Sequence, residues 1–257
     1  ALAAGGPADQ VTGAAMAADT PHVTDDLDAP FSWRGRPIPM GTVAVLHRGE
    51  LATDLVRWLK RMPNEIHFVP VEGNQIPRQR NLAVARMQGE WLLFVDSDCV
   101  PPDDAIPQLV TTEHALVGGV VLERFAPFKV CALKSYDPPA HWLMEDLPRD
   151  GVVPVPEIGT GCLLIRRAVF DAVGPPWFRA GQLVVDELRE DADFSRRARA
   201  AGVQPYLHCG VRVGHVTRAT VYPGLDGRLW AQWPGPVDFH QPLTETQAGT
   251  VEELVRG

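Results

Sequence analysis

Apolar residues in the first part of the chain form short runs that alternate with stretches of helical spacing. Runs at 42–46 and 66–71 contain several β-branched residues, and helix-forming stretches follow them at 50–62 and 78–87. A third run, at 91–95, is apolar at every position, which is typical of a strand buried on both faces of its sheet. The alternation of strands and helices predicts right-handed crossovers and a parallel sheet.

Periodic segments continue this α/β pattern beyond residue 100. They predict strands at 115–122, 162–165 and 204–209 and helices at 167–173 and 190–201. Gly202 directly follows the last helix, where glycine is common because it adopts the left-handed conformation easily.

Both ends of the chain lack this periodicity. Residues 1–38 are rich in Ala, Gly, Asp, Thr and Pro and predict an irregular tail. Residues 221–257 mix Pro, Gly and Trp and predict an irregular lid or tail, with at most a short helix near 251–254. One folded domain is expected between them, over 39–220, because a chain of 257 residues supports one sizeable core.

Composition narrows the class of partner. The net charge is −8 at pH 7, so no broad basic surface for nucleic acid or anionic membranes is expected. The four cysteines form no Cys-x-x-Cys pair, which argues against a zinc knuckle or a dense disulfide framework. No apolar run reaches the length of a membrane span and the N-terminus lacks a secretory pattern, so we expect a cytoplasmic enzyme.

Polar residues follow each of the first three predicted strands. They are His47 with Arg48, Glu72 with Asn74, and the turn Asp96-Ser97-Asp98. In open α/β sheets ligands bind at the carboxyl ends of parallel strands, so these three ends are candidate binding positions.

The third strand end carries the strongest chemical signal. Asp96 and Asp98 leave a buried strand in a turn closed by two prolines, and paired carboxylates of this kind can hold one hard cation. An aspartate-rich turn can equally form because aspartates bond their own backbone, without any metal. Taken alone, the turn leaves both interpretations open.

Five segments occur in an order that resembles family 2 glycosyltransferases of the GT-A fold. The resemblance extends over roughly residues 41 to 218. The segments are 76–81 (IPRQRN), 96–98 (DSD), 159–167 (GTGCLLIRR), 190–194 (EDADF) and 214–216 (GHV). It implies a GT-A-type single domain: a mostly parallel nucleotide-binding sheet flanked by helices, with a smaller acceptor-side sheet.

The resemblance also implies a metal site. Asp98 would bind a divalent metal, Asp96 would contact the metal or the donor ribose, and His215 would supply a further ligand. An imidazole beside carboxylates suits Mn²⁺ better than Mg²⁺. By itself, His215 is equally explained as a histidine at the end of a late strand or loop.

Further roles follow from the same resemblance. Asp191, with Glu190 beside it, would face the acceptor and take the proton of the attacking hydroxyl if the enzyme inverts configuration. An acidic pair at a helix start is also favoured by the helix dipole alone. The resemblance places three side chains of the 76–81 segment, Arg78, Arg80 and Asn81, against the base and phosphates of the donor.

The predicted function is therefore transfer of a sugar, of hexosyltransferase type, from a nucleotide-sugar donor. Glu72 and His47 would lie near the nucleotide base, although both depart from the commonest family pattern. The acceptor, which could be a sugar, a lipid-linked glycan or a small molecule, is left open, as is the oligomeric state.

Two other classes remain open. A haloacid-dehalogenase-like phosphatase would use Asp96 as nucleophile and Asp98 as acid and base. Its motif normally follows the first strand of a domain, whereas two strand–helix units precede Asp96 here. A catalytically inactive nucleotide-sugar binding module is the other alternative.

Overall fold

The described part of the chain contains most of the periodic segments. In this computed structural model, residues 38–124, 128–179 and 189–217 are described with their side chains, together with the backbone of five short strands outside those ranges. The first part contains β1 (Ser32–Trp33), β2 (Arg36–Pro37), β3 (Thr42–His47), α1 (Thr53–Lys60), β4 (His67–Glu72), α2 (Ile76–Arg86), β5 (Trp91–Asp96), β6 (Cys99–Val100), α3 (Ala105–Thr111) and β7 (Leu116–Val120).

The remaining elements follow with longer connections. They are β8 (Leu133–Tyr136), β9 (Pro139–His141), a 3₁₀ helix (Met144–Asp146), β10 (Val152–Pro154), β11 (Cys162–Arg166), α4 (Arg167–Val173), α5 (Glu190–Ala200), β12 (Tyr206–Arg212), β13 (Gly214–His215), β14 (Thr220–Pro223), β15 (Leu229–Trp233) and β16 (Phe239–Pro242). Every described helix is too short or too polar to cross a bilayer.

The centre of the fold is a seven-stranded sheet in the order β10-β12-β7-β11-β5-β3-β4. β3 is parallel to β4 on one side and to β5 on the other, as the alternation of strands and helices predicts. β11 runs antiparallel to both β5 and β7, and β10 runs antiparallel to β12. Five of the seven strands therefore share one direction, and the predicted GT-A-type α/β fold is confirmed.

Side chains of the central strands alternate between two hydrophobic layers. On β5, Leu92 and Phe94 pack into one core and Leu93 and Val95 into the other. The first core also contains the apolar faces of α2, α4 and α5, and the second contains those of α1 and α3. Helices on both faces explain why the run at 91–95 is apolar throughout.

The structure differs from the sequence expectations at several points. α3 was not predicted, because Pro107 interrupts its pattern, yet proline is tolerated in the first turn of a helix, where an N–H lacks an intrahelical partner. Strands β1 and β2 pair within the segment predicted to be irregular.

The C-terminal segment differs in the same way. Strands β14, β15 and β16 form an antiparallel sheet where an irregular lid or tail was expected. Residues 1–31 of the predicted tail and the short helix expected near 251–254 lie outside the described residues.

Candidate active site

The three predicted strand ends lie side by side. In the register of the sheet, His47 at the end of β3 is opposite Glu72 at the end of β4. Leu46 on the other side of β3 is opposite Asp96 at the end of β5. The sequence thus correctly places the ends of these three strands at one edge of the sheet.

A small antiparallel sheet brings the distant His215 to the acidic turn. β6 follows the turn directly and pairs with β13, with His215 opposite Cys99. The Val216 amide donates to the carbonyl of Asp98 over 2.7 Å. As a result, His215 Nε2 lies 3.5 Å from Asp98 Oδ2, although the two residues are far apart in sequence.

The orientation of His215 is set by a backbone carbonyl. Its Nδ1 lies 2.6 Å from the oxygen of Leu122, and because a carbonyl only accepts, Nδ1 carries the proton of this hydrogen bond. Nε2 is then turned toward Asp98, which is the arrangement common for metal-binding histidines. Burial lowers the pKa of His215, but Asp98 and the Leu122 carbonyl raise it by more, so the pKa lies above its ordinary value.

Arg124 contacts the same two side chains. Its Nε donates to His215 Nε2 over 3.0 Å, and its Nη2 forms an ion pair with Asp98 Oδ2. Burial raises the pKa of Asp98, whereas His215 and Arg124 lower it by more. The pKa of Asp98 therefore lies below its ordinary value, and the carboxylate is ionised. The sequence carries no signal for Arg124, which follows β7 without any motif.

The donor atoms around Asp98 fit a divalent cation. Possible ligand atoms of Asp98, Cys99 and His215 all lie within 4.8 Å of one another. Burial raises the pKa of the Cys99 thiol, and sulfur is a softer ligand than the oxygen and nitrogen atoms that Mn²⁺ prefers. A carboxylate and an imidazole whose Nε2 carries a lone pair therefore form the part of the site that is suited to a metal.

Asp96, the other predicted metal ligand, is not part of this group of three among the described residues. Its Oδ1 accepts from Arg80 Nη2 over 3.3 Å, and Arg80 Nε donates to Glu190 Oε1 over 3.2 Å. Arg80 is 2% exposed and lies against the rings of Phe94 and Phe178. It therefore joins the end of β5 to the first turn of α5, and the donor contact implied by the resemblance stays a prediction.

Asn81 also has a structural position. Its side-chain amide donates to the carbonyls of Pro77 and Phe178, and its Oδ1 accepts from the Phe178 amide. These bonds tie the segment before α5 to α2. Gln79 belongs to the same sequence motif, which suggested no role for it. Its side chain is likewise buried and donates to the carbonyls of His47 and Val71.

Asn81→Ala is expected to lower the free energy of unfolding by about 1–3 kcal/mol, because backbone groups of Phe178 lose their partners. Urea denaturation measures this change. Arg78→Ala, at an exposed position of the same helix, is the matched control and should change stability by less than about 0.5 kcal/mol. Equal stabilities of the two variants would contradict the structural role of Asn81.

A cleft of about 700 Å³ opens beside the strand ends. It is lined by Arg48, Asn74, Gln75, Ile76, Pro77, Arg78, Asn81, Phe178 and Glu190. Arg48 and Arg78 form no ion pair with another described residue, so their charges are available to an anion. Glu190, at the wall of the cleft, pairs with Arg80, and Arg80 also pairs with Asp96. These ion pairs link the cleft wall to the end of β5.

Asp191 lies on the other side of this connection, in a small niche. The niche is lined by Cys131, Ala132, Leu133, His141, Glu157, Ile158, Gly159, Arg189 and Asp191. A Cβ at Gly159 would lie 3.1 Å from the Cys131 carbonyl oxygen and 3.6 Å from Asp191 Oδ2, so the glycine allows the Cys131 backbone to approach closely beside the carboxylate. Arg189 and Glu157 were not singled out in the sequence.

The electrostatics of Asp191 suit a proton acceptor. Its side chain is buried, with Arg189 Nε at 3.5 Å and the Ala192 amide donating to Oδ1 over 2.8 Å. Burial raises the pKa of Asp191, and the opposing charge of Arg189 offsets only part of this increase. A raised carboxylate pKa brings the group closer to neutral pH, where a general base works best.

The mostly parallel seven-stranded sheet with helices on both faces is consistent with the GT-A type of fold that the sequence resembles. Residues 50–174 match the family model described as Glycosyl transferase family 2, which confirms the family resemblance. The matched segment includes the Asp96-Ser97-Asp98 turn and Arg124. The acidic pair Glu190-Asp191 and His215 lie beyond it.

Many solved structures are similar to this chain, among them the following three. The crystal structure of A197 from STIV has a TM-score of 0.51 and 17% identity, covering 77% of this chain and 96% of that one. GalNAc-T7, in a crystal structure with UDP, GalNAc and Mn²⁺, has a TM-score of 0.49 and 13% identity, covering 70% of this chain and 44% of that one.

The third is the inositol-1-phosphate CTP transferase from T. maritima, with a TM-score of 0.41 and 11% identity over 68% of this chain and 88% of that one. Only the first of the three exceeds a TM-score of 0.5, and at 17% identity it shows a shared fold and nothing about substrates. No curated protein matches the chain.

Proposed function

We propose that this protein is a metal-dependent glycosyltransferase that moves a sugar from a nucleotide diphosphate sugar to an acceptor hydroxyl with inversion of configuration. The observation that carries the proposal is the pairing of β6 with β13, which brings His215 Nε2 to 3.5 Å from Asp98 Oδ2, just beyond the end of β5. The family match over residues 50–174 supports the same class of reaction.

Asp98 and His215 are the residues that would hold the cation, with Mn²⁺ preferred because of the imidazole. When bound, a divalent cation supplies Lewis acidity that offsets the charge of the leaving nucleoside diphosphate. Asp96 would then contact the donor ribose, or it would lie close to the metal without binding it directly. Arg80 holds Asp96 in place for either task.

The donor nucleotide is assigned to the strand ends and the adjacent cleft. Arg48 and Arg78 line this cleft and provide positive charge for the diphosphate. Glu72 and His47 are neighbours across the sheet and would face the base. The Ser97 backbone carbonyl accepts from the Ala52 amide over 2.9 Å, which fixes the turn against the start of α1.

The acceptor is assigned to the side of Asp191. Its buried carboxylate would take the proton of the attacking hydroxyl. Glu190 is paired with Arg80. It would hold the start of α5 against the donor side of the site rather than accept the proton itself. A base on the acceptor side is the arrangement that an inverting displacement requires.

The phosphatase alternative is less well supported. Asp96 ends β5, which follows two strand–helix units and lies inside the sheet, and its carboxylate is paired with Arg80. Phosphate release from p-nitrophenyl phosphate, lost on Asp96→Asn, would support that alternative over sugar transfer.

Metal-dependent binding of a nucleoside diphosphate tests the proposal. Isothermal titration with UDP, GDP and CDP should show binding of at least one of them in Mn²⁺ and a loss of that binding in excess chelator. Asp98→Ala should abolish the gain that Mn²⁺ provides, because the cation loses its carboxylate ligand. Affinity that is unchanged by the chelator would contradict the metal assignment.

A matched control and a transfer assay complete this test. Asp103→Ala removes an exposed aspartate that pairs with Arg61 shortly after the same turn, and it should retain Mn²⁺-dependent binding. Transfer of the sugar from the matching nucleotide sugar separates an enzyme from an inactive binding module. Binding without transfer to any sugar acceptor would favour the module.

A further inference from the structure

Arg124 lies between the two side chains assigned to the metal. Its Nη2 pairs with Asp98 Oδ2, and its Nε donates to His215 Nε2 over 3.0 Å. These are the same two atoms that lie 3.5 Å apart and face each other across the site. The guanidinium thus uses the carboxylate oxygen and the imidazole lone pair that a metal would need.

A guanidinium and a divalent cation cannot share these atoms. The lone pair of His215 Nε2 accepts either an N–H or a metal, and two cations within contact distance of Asp98 would repel each other. The guanidinium of Arg124 and a divalent cation would each neutralise the charge of the same partly buried carboxylate, Asp98. Arg124 is therefore a competitor for the metal and not an additional ligand.

We propose that Arg124 is the resident cation of the metal-free site and that it has to leave Asp98 and His215 before a divalent metal binds, so that Arg124 sets the metal affinity. The proposal rests on the proposed function, because it takes Asp98 and His215 as the metal ligands. It concerns the free protein and requires no donor or acceptor.

The local structure allows this exchange by side-chain rotation alone. The Arg124 side chain is 51% exposed, so the guanidinium can turn into solvent. Its backbone neighbours are held, since the Glu123 amide donates to the Lys129 carbonyl over 2.7 Å and Leu122 pairs with Val130. The Leu122 carbonyl consequently keeps His215 in its orientation while Arg124 moves.

The size of the effect follows from population arithmetic. If Arg124 fills the site in about 90–99% of metal-free molecules, the apparent metal affinity is reduced about tenfold to a hundredfold. Removing the guanidinium removes this reduction. Loss of one positive charge from the surface also raises metal affinity slightly, and a control variant has to account for that contribution.

Binding of Mn²⁺ alone to the whole chain, measured from the electron paramagnetic resonance signal of free Mn²⁺, tests the proposal. Arg124→Ala and Arg124→Gln should each bind Mn²⁺ about tenfold or more tightly than the parent protein. Arg61→Ala, which removes an arginine of similar exposure from its pair with Asp103, is the control for net charge and should raise the affinity only slightly.

Thermal unfolding provides a second measurement. The metal-free Arg124→Ala protein should melt at a lower temperature than the parent, because Asp98 loses its cation, and added Mn²⁺ should raise the melting temperature more than in the parent. A variant that melts cooperatively is folded, so a failure of folding is distinguished from a loss of competition.

The possible outcomes separate this proposal from the proposed function. Tighter Mn²⁺ binding by both Arg124 variants supports it. Unchanged or weaker binding, in a protein whose Mn²⁺ binding is still abolished by Asp98→Ala, overturns the competition and leaves the metal site standing. Absence of Mn²⁺ binding in the parent and in both Arg124 variants overturns this proposal, whereas the metal dependence of the proposed function is decided by nucleoside diphosphate binding with and without Mn²⁺.

Discussion

Asp191→Asn is expected to lower the rate of sugar transfer by about a hundredfold to ten-thousandfold, the usual contribution of a positioned general base. Asparagine has nearly the same shape but cannot take the proton of the acceptor hydroxyl. Affinity for the nucleoside diphosphate should barely change, because Asp98 and His215 are untouched. Single-turnover transfer rates and isothermal titration of the same variant measure the two quantities.

The pH dependence gives a further check on Asp191. The parent rate should fall as the pH drops through the pKa of Asp191, which burial raises above its ordinary value. A raised pKa in the folded protein stabilises the fold below the unfolded pKa, and this contribution is lost as the pH rises through the folded pKa. At neutral pH the ionised, buried carboxylate is therefore a cost, and Asp191→Asn should not lower the melting temperature.

Asp193→Asn is the matched control. Asp193 lies two residues further along α5 and is 9% exposed against 8% for Asp191, but its carboxylate pairs with Arg179 and Arg197. Its replacement should lower stability and retain transfer at a temperature below unfolding. If Asp191→Asn still transfers sugar at near the parent rate, the base assignment is wrong, and the preference for inversion goes with it.

Arg80→Met is expected to cost about 3 kcal/mol of unfolding free energy, the lower end of the range for breaking a buried ion pair from one side. The variant leaves Asp96 and Glu190 without their shared cation. The lower end applies because the Asp96 side chain is 37% exposed and keeps some hydration, whereas that of Glu190 is only 16% exposed. Out of a total of about 5–15 kcal/mol this is a large fraction.

Urea denaturation measures the effect of Arg80→Met, and Arg61→Ala is again a suitable comparison. The Arg61–Asp103 pair is exposed on both sides, so its loss should cost at most about 1 kcal/mol. Transfer by Arg80→Met should also fall, because the end of β5 and the start of α5 lose their connection. A cost similar to that of the surface pair would show that Arg80 does not hold the two motifs together.

The sequence by itself determined the central strands and most of the helices that cover them. The run at 91–95 is apolar at every position, which predicts a strand buried on both faces. In the fold, alternate residues of β5 do face two different hydrophobic layers. The ends of β3, β4 and β5 were also predictable as one edge, since parallel strands joined by helices all end on the same side.

The order of the later strands was decided only by the tertiary structure. β11 inserts between β5 and β7 and runs antiparallel to both, although it follows them by many residues. No local pattern contains the partner or the direction of a strand. β6 and β13 are two residues each, too short for any period, and yet they bring His215 to Asp98.

The roles of the charged residues depended on the tertiary structure for the same reason. Arg80 and Asn81 occur in a recognisable motif, but only the fold shows their partners. Arg80 bridges two carboxylates, and Asn81 bonds the backbone of a neighbouring segment. Arg124 belongs to no motif, and its position over Asp98 and His215 arises from three segments that meet only in the fold. Residue types and spacings identify the chemistry that is available, whereas distance and burial decide which groups are paired and which are free to react.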